Sequence, residues 1–180
     1  MIKLVILDRD GVINQDSDNF IKTPEEWIPI PGSLDAIALL NQHGFRVVVA
    51  TNQSGIARGL FDMVTLNTIH DKMQHSVAQV GGHIDAIFYC PHATSDNCEC
   101  RKPKTKMIEE IGERYGIDLK NVPAVGDAMR DLEAFKNVGC QPILVETGKG
   151  KMTLATEKLP AKTLVFSNLA QAANYIIKEH

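Results

Sequence analysis

Short apolar runs alternate with segments of helical periodicity along almost the whole chain, and this alternation constrains the fold more than any other feature. The runs are Leu4–Leu7, Phe45–Ala50, Ile84–Tyr89, Val122–Val125, Pro142–Val145 and Leu164–Phe166. The helical segments are Ser33–His43, Asp62–Val80, Lys106–Tyr115, Arg130–Val138 and Leu169–Lys178. Runs such as Val5-Ile6-Leu7 offer apolar side chains to both faces, which suits a strand covered on both sides. The pattern therefore predicts an α/β fold: a Rossmann-like parallel sheet with helices on both faces. Ser33 and Asp62 are expected as helix N-caps, and Gly44, Gly81, Gly116 and Gly139 as C-terminal stops.

A chain of 180 residues with this patterning is expected to form one domain, residues 1–180, with no separate cap domain. The net charge of −3 and the lack of a basic track argue against a nucleic-acid partner. No apolar stretch approaches the roughly 18 residues of a membrane span. The chain runs straight into its first strand with no signal-peptide architecture, so a cytoplasmic monomer is expected. In that compartment the four cysteines are thiols or metal ligands rather than disulfides.

Polar motifs follow the apolar runs, where open α/β sheets gather their ligands. Asp8-Arg9-Asp10-Gly11-Val12 follows the first run, and Thr51-Asn52-Gln53-Ser54-Gly55 the second. Arg101-Lys102-Pro103-Lys104 ends a long loop, and Gly126-Asp127-Ala128-Met129-Arg130-Asp131 follows the fourth run. In this order, from Lys3 to about Val145, the motifs resemble those of the haloacid dehalogenase-like phosphatase superfamily.

The resemblance implies a Mg²⁺-dependent phosphomonoester hydrolase. Asp8 would be the nucleophile that forms an aspartyl-phosphate. Asp10 would be the general acid and then the general base. Thr51 and Lys102 would stabilise the transferring phosphoryl group. Mg²⁺ would be held by Asp8, the main-chain carbonyl of Asp10, and Asp127. Asp131 has three readings: a partner for Lys102, a partner for the metal's waters, or a first-turn acid favoured by the helix dipole.

A second constellation lies in the loop at about residues 90–101. Cys90-Pro91-His92 is followed after five residues by Cys98-Glu99-Cys100, and three thiolates with one imidazole match a structural Zn²⁺ site. Four protein ligands leave no open position, so such a zinc would stiffen the loop that presents Arg101 and Lys102. Cys140 stands apart, as a small buried residue would.

Two groups of the superfamily share this loop. They are the D-glycero-D-manno-heptose-1,7-bisphosphate 7-phosphatases, which supply lipopolysaccharide core precursors, and the histidinol-phosphate phosphatases. Asp8–Asn14 and Thr51–Gly59 look like the heptose group, with Ser54 in place of an acidic residue and Arg58 suited to a second phosphate. The short loop between His92 and Cys98 looks like the histidinol group, and Ala128 stands where a polar residue is common. The resemblance implies a small sugar bisphosphate as substrate, with Asn52, Gln53, Ser54, Arg58 and Arg101 contacting it. Asp16, Ser17, Asp18 and Asn19 would meet the sugar hydroxyls. A zinc-stabilised binding module without catalysis is the reading from a different class.

Overall fold

The computed structural model describes residues 2–156 and 158–179. Its strands are β1 (Lys3–Leu7), β2 (Phe45–Asn52), β3 (Ala86–Cys90), β4 (Pro123–Gly126), β5 (Gln141–Val145) and β6 (Leu164–Phe166). They form one sheet in the order β3-β2-β1-β4-β5-β6, and every neighbouring pair is parallel. The α-helices are α1 (Ser33–Gln42), α2 (Met63–Gln79), α3 (Lys106–Tyr115), α4 (Met129–Asn137), α5 (Gly150–Thr156) and α6 (Leu169–Glu179).

Alternation along the strands divides the core in two. Val5 and Leu7 of β1, with Val47 and Val49 of β2, point into a layer closed by α1, α2 and α6. Leu4 and Ile6, with Val48 and Ala50, point the other way, against α3 and α4. That is why the run of each strand beyond its first residues, Leu4–Leu7 and Val47–Ala50, carries no polar residue: both faces are interior. Strand order reverses between β1 and β4, and at such a switch point the connections leave in opposite directions and open a crevice beyond the strand ends. Asp8 and Asp127 follow those two strands directly.

Some expectations shift. β2 continues through Thr51 and Asn52, because Asn52 still pairs with Cys90 across the sheet. β3 begins at Ala86 rather than Ile84, and Ile84 is core in the approach to it. Asp62 caps α2 as expected, accepting the Thr65 N–H at 2.8 Å. Ser33 does not cap α1: Gly32 holds that position, and the Ser33 hydroxyl donates to the Val12 carbonyl at 2.8 Å. α5 was not expected at all. It is short and carries two threonines, and its place depends on a contact the sequence pattern hides: a Cβ on Gly150 would lie 1.7 Å from the Val145 carbonyl oxygen.

Candidate active site

β1 delivers Asp8 to the crevice floor, where its N–H donates to the Val125 carbonyl of β4 at 2.9 Å. The chain then turns sharply. The N–H groups of Val12, Ile13 and Asn14 all converge on the Arg9 carbonyl, so Asp10 faces back over the strand ends. One Asp8 oxygen lies 3.0 Å from Lys102 Nζ. That ammonium is almost fully buried and also meets Asp131 Oδ1 at 2.7 Å and the Ala50 carbonyl at 2.7 Å. Asp131 thus takes two of the roles open to it. Its Oδ1 pairs with Lys102, while its Oδ2 accepts the Ala128 N–H at 3.1 Å at the start of α4.

Asp10 is held differently. Arg9 donates to it through Nε (3.0 Å) and Nη2 (2.8 and 3.1 Å), Asn14 Nδ2 donates at 2.9 Å and Gln53 Nε2 at 3.0 Å. Burial alone would favour the neutral acid. The Arg9 charge and the donors from Asn14, Arg9 and Gln53 outweigh it and hold Asp10 below the usual carboxylate range.

Asp8, Asp127 and Asp131 bring one oxygen each within 4.8 Å of one another. Burial first, and then the Asp131 charge, push Asp8 up to about 6 and Asp127 up to about 8. Three buried carboxylates at this spacing are mutually repulsive, and a hard divalent cation is the group that fits them. The Asp127 carboxylate has a made-to-measure seat. Its Oδ2 accepts the Lys149 N–H at 2.8 Å, and a Cβ on Gly11 or Gly148 would lie 2.0 or 2.2 Å from that oxygen. The Asp10 side chain is engaged by its own donors and is not one of this cluster of three.

The second cluster also assembles. Cys90, His92, Cys98 and Cys100 bring one ligand atom each within 4.8 Å of one another. The Sγ atoms of Cys90 and Cys98 lie 3.6 Å apart, those of Cys98 and Cys100 3.7 Å apart, and His92 Nδ1 lies 3.3 Å from Cys100 Sγ. Four ligands at about 2.3 Å from a tetrahedral ion sit about 3.8 Å apart, so the donor set and most spacings suit zinc. The Cys90–Cys100 sulfur pair, at 2.9 Å, is closer. The loop is tied to the sheet by Asn52, which accepts the Lys102 N–H at 3.1 Å and donates to the Lys102 carbonyl at 3.0 Å.

A cleft of about 220 Å³ opens above Asp8 and Asp10. Asp16, Ser17, Asp18, Thr51, Asn52, Gln53, Ser54, Arg58, Arg101 and Lys102 all line it. Asn19 does not; it is exposed, and its carbonyl accepts from Lys22 Nζ at 2.8 Å. Asn52 and Gln53 reach the wall with their amide groups already engaged, Gln53 Nε2 bridging Asp10 and Thr51 Oγ1. Sequence reasoning missed Phe20, Ile21, Arg130 and Lys149 in the lining. Arg130 directly precedes the buried Asp131 at a helix start, but nothing in the sequence turns it toward the cleft. Arg58 stacks over Phe20 at 5.6 Å. Lys149 Nζ reaches Asp16 at 3.4 Å and Asp18 at 3.8 Å, tying the 14–31 loop to the start of α5.

Known proteins resemble the chain along its length. A HAD-hydrolase-like family model matches residues 99–172. The chain is 58% identical to the D-glycero-beta-D-manno-heptose-1,7-bisphosphate 7-phosphatase of Bordetella bronchiseptica, covering 99% of both. It is 54% identical to the enzyme of the same name from Pseudomonas aeruginosa, covering 97% of this chain and 98% of that one. The crystal structure of the B. bronchiseptica D,D-heptose 1,7-bisphosphate phosphatase, complexed with magnesium and phosphate, superposes with a TM-score of 0.98. It is 57% identical, with 99% of this chain and 100% of that one covered. The Burkholderia thailandensis enzyme superposes with a TM-score of 0.80 at 48% identity, covering 98% and 99%.

Proposed function

The chain belongs to the D-glycero-beta-D-manno-heptose-1,7-bisphosphate 7-phosphatase family of HAD-like hydrolases, and on that premise we propose that it removes the 7-phosphate of the β-anomer through an aspartyl-phosphate on Asp8. One observation carries the substrate reading. Arg58, Arg101 and Arg130 line the same cleft as Asp8, and among the described residues none has a carboxylate within ion-pair distance, while the charges of Asp131, Asp8, Asp127 and Asp16 favour the Arg130 cation from farther off. Burial, then the Arg130 charge and more weakly the Arg58 charge, hold Arg101 below its ordinary range. Three guanidinium groups gathered in one cleft without an ion-paired carboxylate suit a polyanion. A bisphosphate supplies one phosphoryl group to Asp8 and leaves the other for these arginines.

The chemistry follows from the contacts. Asp8 attacks the 7-phosphorus while Lys102, 3.0 Å from its carboxylate, offsets repulsion between the two anions. The P–O7 bond breaks, and the O7 alkoxide takes a proton from Asp10. Asp10 rests ionised, and an arriving phosphoryl dianion, being of like charge, favours its protonation. Once the sugar leaves, Asp10 is a carboxylate again and accepts a proton from water attacking the acyl-phosphate, which frees Asp8 and inorganic phosphate. Asp8, Asp127 and the Asp10 main chain would hold Mg²⁺, which supplies charge neutralisation at the phosphoryl oxygens when bound. The enzyme works as a cytoplasmic monomer in this reading.

Phosphate release from the β-bisphosphate, its α-anomer and histidinol phosphate, assayed side by side with Mg²⁺, tests the proposal. The β-bisphosphate is expected to be fastest, and a preference for the amine would overturn it. Arg130→Ala is expected to lower kcat/KM for the bisphosphate by about ten- to a hundredfold, the loss of one charge-assisted contact. Its rate on a sugar monophosphate should barely change, and equal losses on both would show that Arg130 does not serve the second phosphate.

Zinc removal gives a third test. Stripping the Cys90–Cys100 cluster with a chelator, then restoring Mg²⁺, is expected to speed hydrogen exchange across residues 93–101 and to lower kcat, because that loop places Lys102. Full activity in a preparation verified zinc-free would remove the loop's clamping role.

A further inference from the structure

Arg9 lies between the two carboxylates of the first motif, and its side chain is completely buried. Among the described residues, Asp10 is the one carboxylate within ion-pair distance of it, and Nε and Nη2 grip that carboxylate at both oxygens. The remaining nitrogen, Nη1, meets Nε2 of His70 at 3.1 Å. His70 comes from the buried face of α2, far along the chain, and is itself buried, with the Tyr89 ring packed at a tilt 6.5 Å away.

We propose that Arg9 and His70 form a clamp that fixes the orientation of the Asp10 carboxylate, and so act as positioning residues for both proton transfers.

Withdrawing a guanidinium from water is unfavourable unless a partner compensates, and an aliphatic side chain would fill the same space without that penalty. Asp10 is the compensating anion, so the burial of Arg9 makes sense only through Asp10. The choice of His70 as second partner follows the same logic. Burial, and after it the Arg9 charge, bring His70 down to about 3, so its imidazole is neutral and accepts through Nε2. A carboxylate at that position would share the guanidinium charge and weaken the hold on Asp10. A neutral acceptor satisfies Nη1 and leaves the charge committed to Asp10.

Geometry explains why a clamp is needed. Asp10 must serve two oxygens in turn, O7 of the departing sugar and the attacking water, and a carboxylate swung by about 1 Å can lose on the order of 10²-fold in rate. Asn14 and Gln53 each supply a single contact, and Gln53 also serves Thr51. Arg9 alone grips both oxygens, and a planar fork fixes a carboxylate in a way that single donors cannot. The acceptor that anchors that fork lies on α2, so the turn's hold on Asp10 is itself fixed by the core.

The clamp rests on the acid–base role given to Asp10, and the test separates the two. His70→Leu removes the acceptor at similar size; His70→Gln keeps an amide oxygen that can accept from Nη1. With Mg²⁺ and the heptose bisphosphate, His70→Leu is expected to lower kcat by about ten- to a hundredfold with KM little changed. His70→Gln should recover most of that loss. In an Asp10→Asn background the same Leu substitution should cost little more, since residues acting through one group are not additive. Wild-type kcat in His70→Leu alongside a crippled Asp10→Asn would overturn the clamp alone. So would equal losses in both backgrounds, or a Gln variant no better than Leu at unchanged Tm. Wild-type kcat in Asp10→Asn would overturn the acid–base role and the clamp with it.

Discussion

Asp8→Asn is expected to lower phosphate release by on the order of 10⁴-fold or more while leaving the protein folded and no less stable. The rate falls because an amide cannot attack phosphorus at any useful rate, and no other carboxylate can take over. Asp131 is tied to Lys102 and the Ala128 N–H, Asp127 to the Lys149 N–H, and Asp10 to Arg9. Stability is spared for an electrostatic reason. Burial first, and then the Asp131 charge, raise the proton affinity of Asp8, and the isosteric amide has no charge to bury or to repel. Lys102 keeps Asp131 as its counterion. Single-turnover phosphate release measures the first effect and thermal unfolding the second. Undiminished release would rule out the aspartyl-phosphate route, and a large fall in Tm would mean that Asp8 carries structural weight.

Lys102→Met should be damaging in both respects. Its ammonium is the shared counterion of Asp8 and Asp131, both of which are almost fully buried. Removing it leaves two uncompensated carboxylates in the interior, which costs about 3–5 kcal/mol. It also removes the charge that lets an anionic nucleophile meet a dianion, a loss of about 10²–10³ in kcat. Arg at this position is not a rescue: its planar fork is larger than the point charge now fitted among two carboxylates and the Ala50 carbonyl. Urea unfolding and steady-state kinetics on the same preparation check both. Wild-type stability would show that Asp131 or Asp8 is neutral in the native protein.

The motifs could be read from sequence because they obey a local rule: polar residues just beyond a buried strand have no packing reason to be there. Asp8, Thr51 and Asp127 each follow such a strand or end it, and the zinc ligands announce themselves by spacing. The architecture was legible for the same reason, since strands with two buried faces leave few alternatives. What stayed hidden depends on contacts between distant segments. Arg9 reads as a solvated charge until α2 brings His70 to it. Arg130 reads as a helix-surface residue until the zinc loop closes against α4. α5 has too little periodicity to declare itself, because its position is set by contacts with Val145 and Asp127 rather than by an apolar stripe. Gln53 and Asn52 were assigned to substrate by their place in the motif, yet each spends its amide on the protein.

The seat of Asp127 has a consequence for how an active molecule comes into being. Gly11 and Gly148 close on one carboxylate oxygen, and the Thr147 hydroxyl donates to the Gly11 carbonyl from 136 residues away. Asp8 follows the first of the six strands, but the segment that completes the crevice arrives only after five of them have been made. Catalytic competence is therefore acquired late in synthesis. A nascent chain released short of Thr147 would carry Asp8, Asp10, Thr51, Lys102 and Asp127 and still lack the brace that sets them to work.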